Sequence, residues 1–280
     1  ITAEFDSPQF EYTLTFDDAL KAVDDAVLFR LMAREVALDH GLILTFLPKP
    51  IAEFGGSGMH INFSFADAEG NNALASGPLG GPDHLTDLAR GCLAGLVHHH
   101  KALAGLVAPT ATSFLRLQPG AMSGYWQNWG GDHRGVTTRV SGEGGAKARL
   151  EHRMADASAN PYTACAAVLH AARLGWEGGM SLPPMETGDG FDRTDARVGV
   201  GVADRQPAPH VEPVQAELHG HLGGGCTRGG EQVQPAALAA GVHVQAGDER
   251  EAPHEGGGLG DGHAELAAPT DGAGDADPAG

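Results

Sequence analysis

Two acidic side chains near the start of the chain are spaced to bind a hard divalent cation. Glu4 and Glu11 lie in the segment EFDSPQFE, on either side of a Pro-Gln pair. Cations such as Mg²⁺ take several carboxylate oxygens as ligands, and two glutamates on neighbouring backbone are able to share one ion. Such a pair is also typical of a solvated surface strand, so this spacing alone leaves both interpretations open.

A glycine-rich turn with a histidine directly behind it is the second candidate. The segment PKPIAEFGGSGMHINFS contains Gly56, and glycine lets the backbone come close to a ligand. His60 follows at once on an apolar segment, and Ser64 lies four residues further on. By itself this pattern indicates a simple hairpin as readily as a binding site.

Cationic side chains are concentrated in two stretches of an otherwise acidic chain. Arg116 interrupts the apolar run FLRLQPG, which we interpret as a strand, and a buried guanidinium there must find an anion or a carbonyl. Further along, Arg149, Glu151 and Arg153 alternate, so a strand would place all three on one face. The full second stretch consists of Arg134, Arg139, Lys147, Arg149, Glu151 and Arg153. This concentration of cations favours phosphate handling.

The apolar periodicity predicts the elements that position these residues. We expect a helix over 17–39, strands over 42–48 and 59–65, a second helix from Pro82 towards Val107, and a third from 161 to 175. Mixed strands and helices of this kind predict an α+β fold. We expect this catalytic unit to span 1–198.

The net charge and the apolar runs of the chain argue against some classes of partner. Acidic residues outnumber basic ones by 36 to 18, and the formal net charge of −18 argues against nucleic acid and anionic membranes as partners. No apolar run is long enough to cross a membrane, which predicts a soluble, cytoplasmic protein.

The segment 199–280 differs from the rest of the chain in composition. After Phe191 there is no aromatic residue and no Ile, Met, Lys, Asn or Ser. Such a segment buries too little apolar surface to offset its ordering entropy. It is either a disordered natural tail or, as we favour, a GC-rich gene read out of frame. Neither interpretation places a site there.

These motifs, in this order, resemble the glutamine synthetase family. The resemblance rests on PKP followed by GGSGMH, on RLQPG, on HRGVTTR and on ARLEHR…DASANPY, and it covers residues 1 to about 198. It implies a catalytic domain with a curved, mainly antiparallel sheet, charges on its concave face and helices outside. It also implies ATP-dependent amide formation at the γ-carboxylate of glutamate, with Mg²⁺ or Mn²⁺ as cofactor.

The resemblance implies a role for each candidate residue. Glu4 and Glu11 would bind the metal nearer glutamate, and His60 with Glu151 the metal nearer the ATP phosphates. Gly56 would lie against glutamate, with Arg116 and Arg153 gripping its carboxylates or the acyl phosphate. The remaining residues would face the nucleotide and the transferring phosphoryl group: Ser64, Arg134, Arg139 and Arg149.

One departure from the family pattern bears on the acceptor. Ammonia-using members place a glutamate where Met122 stands, and an uncharged methionine can neither attract ammonium nor take its proton. Gly55 and Asn62 also replace an asparagine and a histidine that are usual in the family. The hypothesis is a ligase for a primary amine, closest to γ-glutamyl–amine or polyamine ligases. A true glutamine synthetase and a non-catalytic scaffold are the alternatives.

The resemblance also implies further parts of the active site, which in family members precede the catalytic domain. They carry a small β-rich domain and further metal glutamates there, and their active sites are completed between subunits of a homo-oligomeric ring. We therefore expect the 280-residue chain by itself to show no turnover.

Overall fold

Eight strands and five α-helices make up the part of the chain that the computed structural model describes, which is residues 1–4, 9–188 and 239–246. The strands are β1 (Thr2–Ala3), β2 (Phe10–Thr13), β3 (Asp17–Asp18), β4 (Met59–Ala66), β5 (Trp129–Gly130), β6 (Thr138–Val140), β7 (Leu150–His152) and β8 (Ala239–Ala246). The helices are α1 (Ala19–Asp39), α2 (Asp87–His98), α3 (His100–Val107), α4 (Ser113–Arg116) and α5 (Pro161–Glu177), with short 3₁₀ turns at Pro82–His84 and Gly145–Lys147. All described residues belong to one compact unit within 1–250.

The strands form one sheet in the order β1-β2-β8-β4-β7-β6-β5, and β3 pairs with β8. Every pairing is antiparallel except that of β5 with β6. The prediction of an α+β fold with a mainly antiparallel sheet is therefore confirmed. The curvature of the sheet, which the resemblance implies, stays a prediction.

The alternation of β4 gives this sheet two chemically different faces. Met59, Ile61 and Phe63 are buried in the hydrophobic core, which α2 and α5 share. Their neighbours His60 and Asn62 point to the opposite face, because successive strand residues alternate. The core side therefore holds the sheet against the helices, and the other side is available to carry polar groups.

Side-chain caps mark the starts of α2 and α5, but one of the predicted helices is divided in two. The Thr86 side chain caps α2, and the Asn160 side chain caps α5 ahead of a proline at its first position. The single helix predicted from Pro82 to Val107 is wrong. Its start is a 3₁₀ turn, and His99 interrupts it between α2 and α3.

Two predicted strands are also wrong. Residues 42–48 form no strand in the structure, and the side chains of Leu42 and Ile43 are 63% and 90% exposed. The run around Arg116 is not a strand, because residues 113–116 form the short helix α4. In so short an apolar run without clear alternation, periodicity does not distinguish a strand from a helix or an irregular segment.

The segment predicted as an unstructured tail contributes one element. Ala239–Ala246 forms β8 and pairs along its whole length with β4. The rest of 199–280 lies outside the described residues, and the expectation for the segment as a whole stays a prediction. Among the described helices, none is both long and apolar enough to span a membrane.

A buried histidine on α3 makes the fold sensitive to acid. His100 is 1% exposed, and its Nε2–H donates to the carbonyl of Tyr125 over 3.1 Å. Burial is the main reason that its pKa falls from 6.5 to about 4. Between these values the unfolded chain binds a proton that the folded chain does not. Stability is therefore complete above pH 6.5 and falls towards pH 4, by about 3 kcal/mol from this group.

Urea unfolding at pH 7.5 and pH 4.5 measures this effect. A His100→Gln variant keeps a donor for the Tyr125 carbonyl and should lose less stability over this range than the wild-type chain. The matched control is His98→Gln, because His98 is exposed. Equal losses for the wild-type chain and His100→Gln would contradict the assignment.

Candidate active site

A histidine and a glutamate from adjacent strands meet on the polar face of the sheet. His60 lies on β4 and Glu151 on β7, and the register aligns Asn62 with Glu151. His60 Nδ1 is 3.2 Å from Glu151 Oε1, and the two side chains are 0% and 2% exposed. The family resemblance implies that these two residues bind one metal ion, and the structure places them next to each other.

Two arginines neutralise Glu151. Arg139 lies opposite it on β6, and its Nε is 2.5 Å from Oε2. Arg153 follows β7, and its Nη1 is 3.1 Å from Oε1. Burial on its own would raise the pKa of Glu151, but the charge of Arg153, the bond to His60 and the charge of Arg139 outweigh it. The pKa is therefore below its usual value, and the group is a carboxylate at neutral pH.

The His60 imidazole is neutral, and the lone pair of its Nε2 has no partner among the described residues. Burial, together with the charge of Arg153, lowers its pKa to about 3 despite the carboxylate beside it. A neutral ring with its proton on Nδ1 donates to Glu151 and keeps a lone pair on Nε2. That Nε2 is buried and has no hydrogen-bond partner among the described residues. This is the state of histidine that binds metal ions.

Arg153 connects this cluster to the loop that carries Met122. Its Nη2 donates to the Met122 carbonyl over 3.4 Å, and Met122 is 4% exposed. Its Nε is buried and unpartnered within the described residues. Residues 117–131 contain no Asp or Glu, so a shift of one or two positions in the alignment would not supply a carboxylate in this loop.

Arg116 and Gly56 lie together behind the cluster. Arg116 is 2% exposed and donates to the carbonyls of Met154 and Arg153, over 2.9 and 3.2 Å. This confirms that the guanidinium finds carbonyls. A Cβ on Gly56 would lie 2.6 Å from the Pro48 carbonyl oxygen and 2.8 Å from Arg116 Cγ. Glycine is therefore required at this position by packing against Arg116, whatever ligand it also meets.

Glu4 and Glu11 share the polar face but lie apart from His60. The pairing of Thr2 with Glu11 puts both glutamates on one side of the β1–β2 hairpin. The register through β8 makes this the side on which His60 lies, with β8 in between. In the part of the chain that the structure describes, no three His, Cys, Asp or Glu residues form a group able to hold a metal ion.

The remaining predicted residues lie around the edge of the cluster. Ser64 is half-buried on β4, on the side of His60, and Arg134 is exposed in the turn before β6. Arg149 contacts Glu143 and donates to Ser141 Oγ over 3.3 Å, and it does not join Arg153 at Glu151. The structure thus brings His60, Glu151, Arg139, Arg153 and Met122 together, with Arg116 and Gly56 behind them.

Asp156 is not among the predicted site residues, and it lies in the segment that holds the glycine-rich turn. This residue is 0% exposed, and its Oδ1 accepts from the amide and the hydroxyl of Ser158. The backbone beside it pairs with the turn, through Met59 N to Ala155 O and Ala157 N to Ser57 O. These pairs join residues about one hundred positions apart, so no local signal marks them.

Comparison with known proteins gives a consistent result. The chain matches the family model "Glutamine synthetase, catalytic domain" over residues 1–207. It is 39% identical to the glutamine synthetase of Pyrococcus woesei over 168 residues, which are 60% of this chain and 37% of that protein. It is 34% identical to the glutamate–isopropylamine ligase of Pseudomonas sp. over 169 residues, 60% of this chain and 36% of that one.

A solved structure supports the same assignment. The structure described as "Apo GmaS without ligand" superposes with a TM-score of 0.58 at 33% identity, covering 67% of this chain and 43% of that one. The chain therefore spans less than half the length of each of these relatives.

Proposed function

Since this chain belongs to the glutamine synthetase family, we propose that it carries catalytic-domain residues of a ligase that uses ATP to join the γ-carboxylate of glutamate to a primary amine. Glutamate is first phosphorylated on that carboxylate, and the amine nitrogen then displaces the phosphate. The ligase names of the relatives support the reaction class.

The burial of Met122 beside Arg153 carries the choice of acceptor. This methionine is 4% exposed, and its carbonyl accepts from the arginine that also binds Glu151. An apolar side chain at this point is suited to the carbon of an alkylamine, and it gives no charge to attract ammonium. The absence of Asp and Glu from residues 117–131 supports the same acceptor.

The donor types fit a divalent cation, Mg²⁺ or Mn²⁺, although in this structure His60 Nδ1 contacts Glu151 and Nε2 points away from it. His60 offers a neutral imidazole with an unpartnered, buried Nε2, and Glu151 offers a carboxylate. These two would hold the ion at the ATP phosphates, and Glu4 with Glu11 would hold a second ion nearer glutamate. When bound, such ions neutralise charge on the transferring phosphoryl group.

The arginines of the chain would bind and orient anionic oxygens. The cluster of Glu151, Arg139 and Arg153 carries a net positive charge, and Arg153 Nε is a buried donor with no partner among the described residues. A buried donor of this kind is costly unless a ligand oxygen accepts from it. Arg134, Arg139 and Arg149 are proposed for the phosphates and Arg153 for glutamate or its acyl phosphate, with Ser64 at the nucleotide.

A glutamine synthetase that uses ammonia is the second candidate. The observation that favours it is the number of similar relatives with that name, among them the 39% identical protein of Pyrococcus woesei. A scaffold without catalysis is disfavoured by the buried His60–Glu151–Arg153 cluster, because buried charges are costly to keep.

The test is an acceptor panel assayed with glutamate, ATP and Mn²⁺. The 280-residue chain, and any longer gene product that contains it, are given ammonium, a small alkylamine, an amino alcohol and a polyamine. The proposal expects kcat/KM for at least one amine to exceed that for ammonium. If ammonium is the best acceptor, the enzyme is a glutamine synthetase, and if nucleotide with Mn²⁺ gives no thermal stabilisation the scaffold is favoured.

A further inference from the structure

We propose that Arg116 is a positioning residue, which acts through the backbone of Arg153 to hold that side chain against Glu151 and His60. This inference rests on the proposed function, in which the His60–Glu151–Arg153 cluster is part of the active site. It differs from the role that the family resemblance implies for Arg116, which is direct contact with the substrate.

The hydrogen bonds of the backbone after β7 are the first step. β7 ends at His152, so the next residues leave the ladder, and their carbonyls need other partners. Arg116 supplies these partners, with Nη1 on the Met154 carbonyl and Nη2 on the Arg153 carbonyl. Because the guanidinium is a planar fork with donors in fixed directions, it fixes two successive peptide groups at once.

The side chain of Arg153 is aimed by the same backbone. Its amide donates to the Thr137 carbonyl over 2.9 Å, and Arg116 holds its carbonyl, so both sides of this residue are fixed. From there Nη1 donates to Glu151 Oε1 over 3.1 Å and lies 3.4 Å from His60 Nδ1, whose own proton goes to the same carboxylate oxygen. A small movement of this backbone would lengthen the bond to Glu151 beyond hydrogen-bond distance and so change the charge next to the His60 ring.

Two glycines leave the space that Arg116 and the neighbouring backbone occupy. The absence of a Cβ at Gly56 admits its Cγ and Cδ, which would otherwise meet that atom at 2.8 and 3.0 Å. On the far side, Gly124 has a φ of +77°, and a Cβ there would lie 2.7 Å from the Met154 nitrogen. Two glycines thus allow Arg116 and the Met122 loop to close on the segment that carries Arg153.

The experiment reads the His60 imidazole by NMR in the metal-free, substrate-free chain labelled at histidine. Arg116→Lys keeps the charge, but its single ammonium cannot hold both carbonyls in the same geometry. It is expected to shift the His60 Nδ1 and Nε2 resonances while the native circular dichroism spectrum remains. The matched control is Arg173→Lys, at an exposed position of α5, which should leave these resonances unchanged.

A second background shows whether Arg116 acts through Arg153. In an Arg153→Gln chain, Arg116→Lys is expected to cause no further shift at His60. An equal shift in both backgrounds would show that Arg116 acts on His60 directly, and no shift in either would show that it does not position the cluster. Each of these outcomes overturns the inference. Because no turnover is measured, they are distinct from a failure of the proposed ligase activity.

Discussion

Replacing Glu151 with glutamine is expected to lower the free energy of unfolding by about 3–5 kcal/mol, because the substitution breaks a buried ion pair by removing one partner. Arg153 is 1% exposed and would keep a buried charge without its counterion. Arg139 would lose its contact with Oε2 as well. The measurement is the midpoint and slope of urea unfolding of the 280-residue chain at pH 7.5.

The chain offers a matched control for this substitution. Glu143 is also paired with an arginine, Arg149, but it is 47% exposed. An exposed pair contributes at most about 1 kcal/mol, so Glu143→Gln should change stability little. If Glu151→Gln costs no more than Glu143→Gln, the two arginines do not depend on Glu151 in the folded chain. The compensated cluster described above would then be wrong.

The residues that approach one another across β4, β6 and β7 could be predicted because alternation along a strand is a local signal. His60 was expected on an apolar strand, and the alternation of Arg149, Glu151 and Arg153 placed those three on one strand face, whereas a common charged face of the sheet was implied only by the family resemblance. The contact of His60 with Glu151 could not be derived from periodicity, because it depends on the register between strands about ninety positions apart. The ordered motifs of the family supplied that pairing.

The elements that differ from prediction depend on contacts with residues far away in the sequence, which a local pattern does not contain. The run around Arg116 is apolar as a buried strand would be, yet it is a short helix whose last residue turns inward to two carbonyls. Those carbonyls belong to residues 153 and 154, so nothing near position 116 indicates them. The same holds for Gly56, where the sequence suggested an approach to ligand and the structure shows packing on Arg116.

The strand β8 is a further element that no local pattern indicates. Composition alone indicated that 199–280 would bury too little apolar surface to fold. Residues 239–246 nevertheless pair with β4 over eight positions, where the sheet supplies the partner strand. Overall composition describes an average, and a short strand needs only its own backbone groups and a neighbour that is already in place.

Replacing Met122 with glutamate is expected to raise the ratio of kcat/KM for ammonium over that for an alkylamine, on the order of tenfold to a hundredfold. A carboxylate about 4 Å from a cation contributes up to about 4 kcal/mol near a protein surface, and part of this is lost to the desolvation of a side chain buried at this depth. The added charge attracts ammonium and takes its proton, and it removes the apolar contact with the carbon of the amine. The measurement is the same acceptor panel, run with the substitution in any longer gene product that contains this chain, because the 280-residue chain by itself is expected to show no turnover.

Two variants separate the charge from the change in shape. Met122→Gln has the size of the glutamate variant without its charge, so it should weaken the preference for the alkylamine but give no gain with ammonium. Met32→Glu places the same charge on α1, where the side chain is 64% exposed, and should leave the ratio unchanged. If Met122→Glu leaves the ratio unchanged although the variant stays folded, residue 122 does not face the acceptor, and the choice between amine and ammonium must depend on other residues. If the ratio rises as strongly in Met122→Gln, lost apolar contact alone would explain the preference. Only a gain with ammonium that depends on the carboxylate would show that Met122 is the residue that disfavours it.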